Sequence, residues 1–249
     1  MLKPAEMGLD AFFEIVAEIG FDAVELWGRG DDFAQLMKTA AAHRLAVASF
    51  IGVAPMGGGL NAREHHARIQ TELQVAIDVA ADNGIPGIIC FSGDRRPGLT
   101  DEEGINNTAE GLKRIAPYAE QKGVNLNLEL LNSRVDHKGH QCDHTAWAVA
   151  VCEQVNSPRV KILYDIYHMQ IMEGDLIRTI RDNIAHFGHF HTAGVPGRGN
   201  LDDMQEINYS GVARAISETG YDLYVGHEFT PGGDLVAALR QAYNLFNVV

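Results

Sequence analysis

Four side chains that could bind a metal or move a proton stand near the ends of otherwise apolar segments. They are separated by 36, 26 and 37 residues, and each gap fits one strand and one helix, so successive strands would bring them to one rim. Buried carboxylates are costly unless they are paired or bind a metal. Three carboxylates and an imidazole suit one hard divalent cation, Mn²⁺ or Mg²⁺, better than structural zinc bound by thiolates, with Zn²⁺ and Co²⁺ left open. The four residues are Glu129 in LNLELLN, Asp165 in ILYDIYHMQ, His191 in HFGHFHTAG and Glu228 in YVGHEF.

Each of these residues also has a more ordinary interpretation. A single carboxylate at a strand end more often caps a helix or pairs with a basic side chain than binds a metal. The metal interpretation depends on the four residues recurring in step on consecutive strands. We therefore treat them as one site.

The elements that must position these residues are short apolar runs that alternate with longer amphipathic stretches. This alternation predicts βαβ units and a parallel sheet covered by helices. The pattern favours an α/β fold, namely a TIM (β/α)₈ barrel that lacks its first strand. We expect a single domain over residues 1–249. A doubly wound open sheet has the same local pattern and remains an alternative. The irregular stretches follow strands, so in a barrel they lie at the mouth, where active sites are found; they are 52–63, 92–100, 132–143 and 192–208. The predicted strands are 23–27, 45–51, 87–91, 124–131, 160–164, 184–191 and 223–225, and the predicted helices are 9–19, 32–43, 64–82, 101–121, 144–155, 174–183, 209–219 and 233–246.

The missing strand is the first one. Only the eight residues MLKPAEMG precede the first helix. Because this segment is short and contains Pro4, it leaves too little room for a buried strand. We predict seven strands and eight helices, with the barrel open between 223–225 and 23–27. Loss of the strand through truncation or a misplaced start, and filling of the gap by another segment, are both left open. An open slot should lower stability and favour self-association, hence a homo-oligomer.

Composition excludes several classes of protein. The chain has 33 acidic residues and 20 lysines and arginines, a net charge of −13, which argues against binding nucleic acid. No apolar run approaches the roughly 18 residues of a membrane span, and the N-terminus lacks a signal-peptide pattern. Three cysteines without a close pair (Cys90, Cys142 and Cys152) fit a reducing compartment. We expect a cytoplasmic protein whose partner is a small molecule.

Several longer motifs resemble the hydroxypyruvate isomerase branch of the xylose-isomerase-like TIM barrels, from about residue 9 onward. They are LNLELLNS, KILYDIYHMQIMEGD, HFHTAGVPGR, QEINY and GHEF. The same superfamily contains ketose 3-epimerases, inosose dehydratases and endonuclease IV. The resemblance implies that Glu129, Asp165, His191 and Glu228 are metal ligands, that Glu129 and Glu228 are also the acid/base pair, and that His168 and Arg198 bind substrate.

The expected activity is that of an intramolecular aldose–ketose isomerase. Moving a carbonyl to the adjacent carbon requires two proton transfers. A proton is removed from the carbon next to the carbonyl, which gives an enediolate, and a proton is then returned to the former carbonyl carbon. Glu129 and Glu228 would transfer these protons, and Arg198 would pair with a substrate carboxylate. Hydroxypyruvate to tartronate semialdehyde is the favoured conversion, and Arg95 and Arg96 are weaker candidates for gripping its carboxylate.

Four other functions remain as alternatives. A ketose 3-epimerase or an inosose-type dehydratase would use the same ligands. An endonuclease IV-like phosphodiesterase would need more histidine ligands and a basic surface. A non-catalytic binding protein would not need both acid/base carboxylates. The histidine-rich stretch 137–144 is interpreted as a lid over the site, because its spacing matches no zinc template.

Overall fold

The computed structural model describes residues 3–53 and 58–248. Its sheet has seven strands in sequence order, each pairing in parallel with the next, and helices pack outside them. The strands are β1 (Ala23–Leu26), β2 (Ala46–Ile51), β3 (Gly87–Cys90), β4 (Asn125–Glu129), β5 (Val160–Asp165), β6 (Phe187–Thr192) and β7 (Val225–His227). The helices are α1 (Leu9–Ile19), α2 (Phe33–Ala42), α3 (His66–Asp82), α4 (Asp101–Lys122), α5 (Thr145–Val155), α6 (Ile166–Met172), α7 (Leu176–Asn183), α8 (Tyr209–Glu218) and α9 (Leu235–Phe246).

The prediction of a TIM barrel with seven strands is confirmed. Within the described ranges there are nine α-helices rather than the eight predicted, because the chain leaving β5 folds at once into the short helix α6. The last strand lies two residues later than predicted, at Val225–His227. Part of the predicted loop 52–63, residues 54–57, lies outside the described residues.

Local sequence signals set the ends of the helices. At the start of α4, Thr100 and Glu103 form a capping box: the Thr100 hydroxyl accepts the Glu103 amide, and the Glu103 carboxylate accepts the Thr100 amide. At the end of α1, Gly20 adopts φ 111°, a left-handed conformation that costs a glycine little. Such caps let short loops return the chain to the sheet.

The core lies on both faces of the sheet. Strands β3, β4 and β6 are buried along their whole length, as parallel strands between helices and a barrel interior should be. On the face of β5 opposite to Asp165, Tyr164 stacks on Phe187 of β6, with ring centroids 4.7 Å apart. This packing joins β5 to β6.

The barrel has an open seam between β7 and β1. These two strands form the edges of the sheet and do not pair with each other in the described part of the chain. Side chains occupy the seam instead: the Phe21 ring meets His227 edge-on at 5.7 Å and Tyr243 at 5.3 Å. Helix α1 also packs against α9 across it. The predicted gap in backbone pairing is therefore present, and side chains and helices fill it.

No helix in residues 3–53 or 58–248 combines the length and the hydropathy needed to cross a bilayer.

Candidate active site

The carboxyl ends of four successive strands bring together the four residues singled out in the sequence. Glu129 ends β4, Asp165 ends β5, His191 lies one residue before the end of β6, and Glu228 directly follows β7. The register pairs Asp165 with His191 across β5 and β6. The four side chains therefore meet at the mouth of the barrel.

The four side chains form a close cluster around one imidazole nitrogen. From Nδ1 of His191 the distances are 3.1 Å to Oε2 of Glu228, 3.5 Å to Oε1 of Glu129 and 3.9 Å to Oδ2 of Asp165. One ligand atom from each residue lies within 4.8 Å of all the others. Three oxygens and one nitrogen thus surround a common point.

The cluster fits a divalent cation. Nδ1 of His191 is buried and has no hydrogen-bond partner among the described residues, although three carboxylates face it. A buried polar atom without a partner is costly, and a cation held by this nitrogen and the three carboxylates would remove that cost. The donor set of carboxylate oxygens with one imidazole is one that Mn²⁺ and related cations accept.

The charge states of these groups are strongly perturbed. Burial raises the pKa of Glu129 to about 7 and that of Asp165 to about 6. Burial disfavours the charged form of His191, but the carboxylates of Glu25 and Glu228 outweigh it and raise the pKa of that imidazole well above its usual value. The pKa of Glu228 is lowered, because His191 and Arg198 outweigh its burial. The cluster therefore holds exchangeable protons near neutral pH.

Asp165 connects this cluster to His168. Its Oδ1 accepts the His168 backbone amide at 3.0 Å and so caps α6, while its Oδ2 lies 3.5 Å from Nε2 of His168. Asn132 fixes the imidazole. Its Oδ1 accepts hydrogen bonds from two backbone amides, which orients its side chain so that Nδ2 donates to Nδ1 of His168, 2.6 Å away. Burial also lowers the pKa of His168 well below its usual value. His168 is thus neutral with its proton on Nε2, a buried atom with no hydrogen-bond partner in the described chain.

Arg198 also contacts the cluster. Its Nη2 donates to Oε2 of Glu228 at 2.5 Å and lies 3.8 Å from Oδ2 of Asp165. Its guanidinium carbon lies 5.4 Å from the centroid of the Tyr167 ring. Both substrate-binding residues expected from the sequence therefore border the carboxylate cluster.

Arg95 and Arg96 form ion pairs with carboxylates outside the cluster. Arg95 is ion-paired with Asp101 and with Asp143, and Arg96 with Glu64 at 2.5 Å. Arg96 lines a cavity of about 760 Å³ that also borders Asp136, His137, Lys138 and His140.

The stretch 137–144, predicted to be a lid, contributes His137, Lys138 and His140 to one wall of this cavity. The His137 ring lies 5.2 Å from that of His168, and Asp136 accepts hydrogen bonds from Asn132 and Tyr167. The cavity therefore adjoins the cluster through this loop.

Three residues near the site were not singled out in the sequence. Asn132 fixes His168 as described, Glu25 on β1 accepts a hydrogen bond from Nε2 of His191 at 2.9 Å, and His189 lies 3.0 Å from Glu25. One signal was available for Glu25, a charge inside the apolar run AVEL. Another was available for His189, which lies two residues before His191 and so on the same face of its strand.

Comparison with known proteins finds relatives that are isomerases. It is 30% identical over 242 residues to hydroxypyruvate isomerase of Escherichia coli K12, covering 92% of this chain and 91% of that protein. It is 29% identical over 237 residues to 2-oxo-tetronate isomerase of Haemophilus influenzae, covering 91% and 90%. These relatives support an isomerase, as the sequence predicts.

Solved structures agree on the fold. A crystal structure named AP endonuclease, family 2, from Brucella melitensis matches with a TM-score of 0.85 and 26% identity, over 96% of this chain and 94% of that one. A family model described as xylose isomerase-like TIM barrel matches residues 13–245. The chain belongs to the xylose isomerase-like TIM barrel family.

Proposed function

We propose that this chain is a divalent-metal-dependent isomerase that interconverts a small hydroxy-keto acid and its aldehyde isomer. Hydroxypyruvate and tartronate semialdehyde are the favoured pair. The observation that carries the proposal is that Nδ1 of His191 faces three carboxylates at the barrel mouth and has no hydrogen-bond partner among the described residues. The isomerase relatives support the reaction class.

Glu129, Asp165, His191 and Glu228 would hold the cation. When bound, a divalent cation makes the proton beside a carbonyl more acidic and stabilises the negative charge that its removal leaves. Mn²⁺ or Mg²⁺ is our proposal for its identity, because three of the four donors are carboxylate oxygens.

Glu129 and Glu228 would move the protons. One carboxylate takes the proton from the carbon next to the carbonyl, and the other returns a proton to the adjacent carbon, so the proton count balances. A general acid/base works best when its pKa lies near the working pH, and the pKa of Glu129, raised by burial to about 7, satisfies this condition.

His168 and Arg198 would bind the substrate. Nε2 of His168 carries a proton that no described residue accepts, so it is available to donate to a substrate hydroxyl or carbonyl oxygen. Arg198 donates through Nε and Nη2 to Glu228, and its Nη1 makes no hydrogen bond to a described residue. That remaining donor suits a substrate carboxylate.

A four-carbon acid is the second candidate substrate. The observation that favours it is that 2-oxo-tetronate isomerase is among the relatives. A phosphodiesterase of the endonuclease type is disfavoured, because the cluster has one histidine and the chain has a net charge of −13.

We also infer a cytoplasmic location and a small-molecule partner. Cys90, Cys142 and Cys152 are free and buried, which fits a reducing compartment. The acidic balance of the chain does not suit a nucleic-acid partner.

A substrate panel tests the proposal. The purified chain is treated with EDTA and assayed on hydroxypyruvate, 2-oxo-tetronate, short ketoses and inosose, with and without added Mn²⁺ or Mg²⁺. We expect turnover of a keto acid only with the metal. Full activity in a sample shown to be metal-free would overturn the metal requirement, and turnover confined to ketoses or inosose would overturn the substrate class.

A further inference from the structure

Glu25 reaches across the open seam from β1 to β6. Its Oε2 accepts a hydrogen bond from Nε2 of His191 at 2.9 Å, and its Oε1 lies 3.0 Å from Nε2 of His189. The two imidazole rings are nearly perpendicular, with centroids 5.1 Å apart. This contact joins the first strand to the sixth without any backbone pairing between them.

Gly226 on β7 makes this crossing possible. A Cβ placed on Gly226 would lie 2.7 Å from Oε2 of Glu25, 3.0 Å from Cδ2 of His191 and 3.3 Å from Nε2 of His189. A side chain at this position would therefore push the Glu25 carboxylate away from the imidazole. The glycine keeps the path between β1 and β6 clear.

The charge on Glu25 suits this contact. Burial opposes the charge, but the neighbouring imidazoles of His191 and His189 outweigh it and hold the pKa of the carboxyl well below its ordinary value. Both imidazoles are buried, and the Glu25 side chain is 22% exposed. Glu25 is thus a carboxylate held against the back of the His191 ring.

We propose that Glu25 is a positioning residue for the metal site. By accepting the proton on Nε2, it sets the ring orientation of His191 and the tautomer of its neutral form, so that Nδ1 is left to bind a cation held among the three carboxylates. A carboxylate bonded to the far nitrogen of a metal-binding imidazole orients the ring and makes its other nitrogen a stronger ligand. The inference rests on the proposed function, because it requires His191 to bind the cation.

The test compares Mn²⁺ binding by calorimetry in the wild type, Glu25→Gln and the control Asp22→Asn. Glutamine keeps the size of the side chain and removes its charge, whereas Asp22 is an exposed carboxylate three residues earlier. We expect one Mn²⁺ per wild-type chain, about 10–100-fold weaker binding in Glu25→Gln with unchanged stoichiometry, and wild-type affinity in Asp22→Asn. The visible spectrum of the Co²⁺-loaded protein should change in Glu25→Gln and not in the control.

Glu25→Asp is the second variant, since its shorter side chain withdraws the carboxylate from Nε2 of His191 without removing a charge. It should also weaken Mn²⁺ binding, and it carries the test if Glu25→Gln does not fold, as judged by circular dichroism.

Wild-type affinity and an unchanged Co²⁺ spectrum in folded Glu25→Gln would overturn the inference while leaving the metal site intact. Two ions in the wild type and one in Glu25→Gln would make Glu25 a ligand, which also overturns it. No Mn²⁺ binding by the wild type would overturn the proposed metal site itself, and this inference with it.

Discussion

Asp165 shows how one side chain can serve both the fold and the site. One carboxylate oxygen caps α6 by accepting the His168 amide, and the other faces the imidazole of His191. The cap fixes the side chain in the one orientation that points its second oxygen into the cluster. The sequence offered a helix cap and a metal ligand as separate interpretations of this residue, whereas its side chain both caps α6 and faces the cluster.

The proposed acid/base pair gives the first prediction. Glu129→Gln and Glu228→Gln should each lower turnover by at least about 100-fold, the lower end for losing a general acid or base. Steady-state kinetics checks this, with bound metal measured on the same samples because each change also removes a charged ligand. Glu14→Gln, at an exposed position on α1, is the control that should leave turnover unchanged. Near-normal turnover in either variant would refute that residue's role in proton transfer.

The pH dependence of metal binding gives the second prediction. The pKa of Glu129 is raised to about 7 and that of Asp165 to about 6, and the pKa of His191 is raised well above its usual value. Without a metal these groups therefore hold protons around and below neutral pH, and a cation must displace them. Mn²⁺ affinity should rise from pH 5 to pH 8.

Calorimetry in two buffers of different ionisation enthalpy measures the protons released in this experiment. An affinity that does not change over this pH range, with no proton release, would show that the ligands are already deprotonated.

At the scale of elements, periodicity predicted each strand that carries a site residue but did not predict α6. The segment IYHMQIM follows β5 without a glycine or proline, and a short apolar run does not distinguish a strand from a helix by its period. The signal that separates the two is the Asp165 cap, which is visible only once the carboxylate is seen to accept the His168 amide.

The capping box of α4 gives the third prediction. Thr100→Ala removes the hydroxyl that accepts the Glu103 amide and should lower the free energy of unfolding by about 1 kcal/mol. Thr100→Ser keeps the hydroxyl and should lose much less. Denaturant unfolding of the two variants beside the wild type checks this, and equal losses in both would show that the hydroxyl contributes nothing.

At the scale of the molecule, the sequence predicted the barrel and its gap because both follow from local patterns counted along the chain. It did not predict that Glu25 crosses the gap to His191, since the two residues lie on different strands far apart in sequence and no periodicity relates them. The tautomer of His168 was also out of reach, because it depends on how Asn132 is held by the backbone amides of its own loop. Contacts between side chains of distant segments require the three-dimensional structure.

The open seam also sets where the molecule opens first. A closed barrel has no edge strand, whereas this sheet has two, β1 and β7. Transient opening should therefore begin at β1 and β7 and reach β4 last. Amide hydrogen exchange measured strand by strand should be fastest in β1 and β7 and slowest in β4. Equal protection in all seven strands would contradict this. Because Glu228 directly follows β7, bound Mn²⁺ should slow amide exchange in β7 far more than in β2. The metal ion would then stabilise the weakest edge of the barrel.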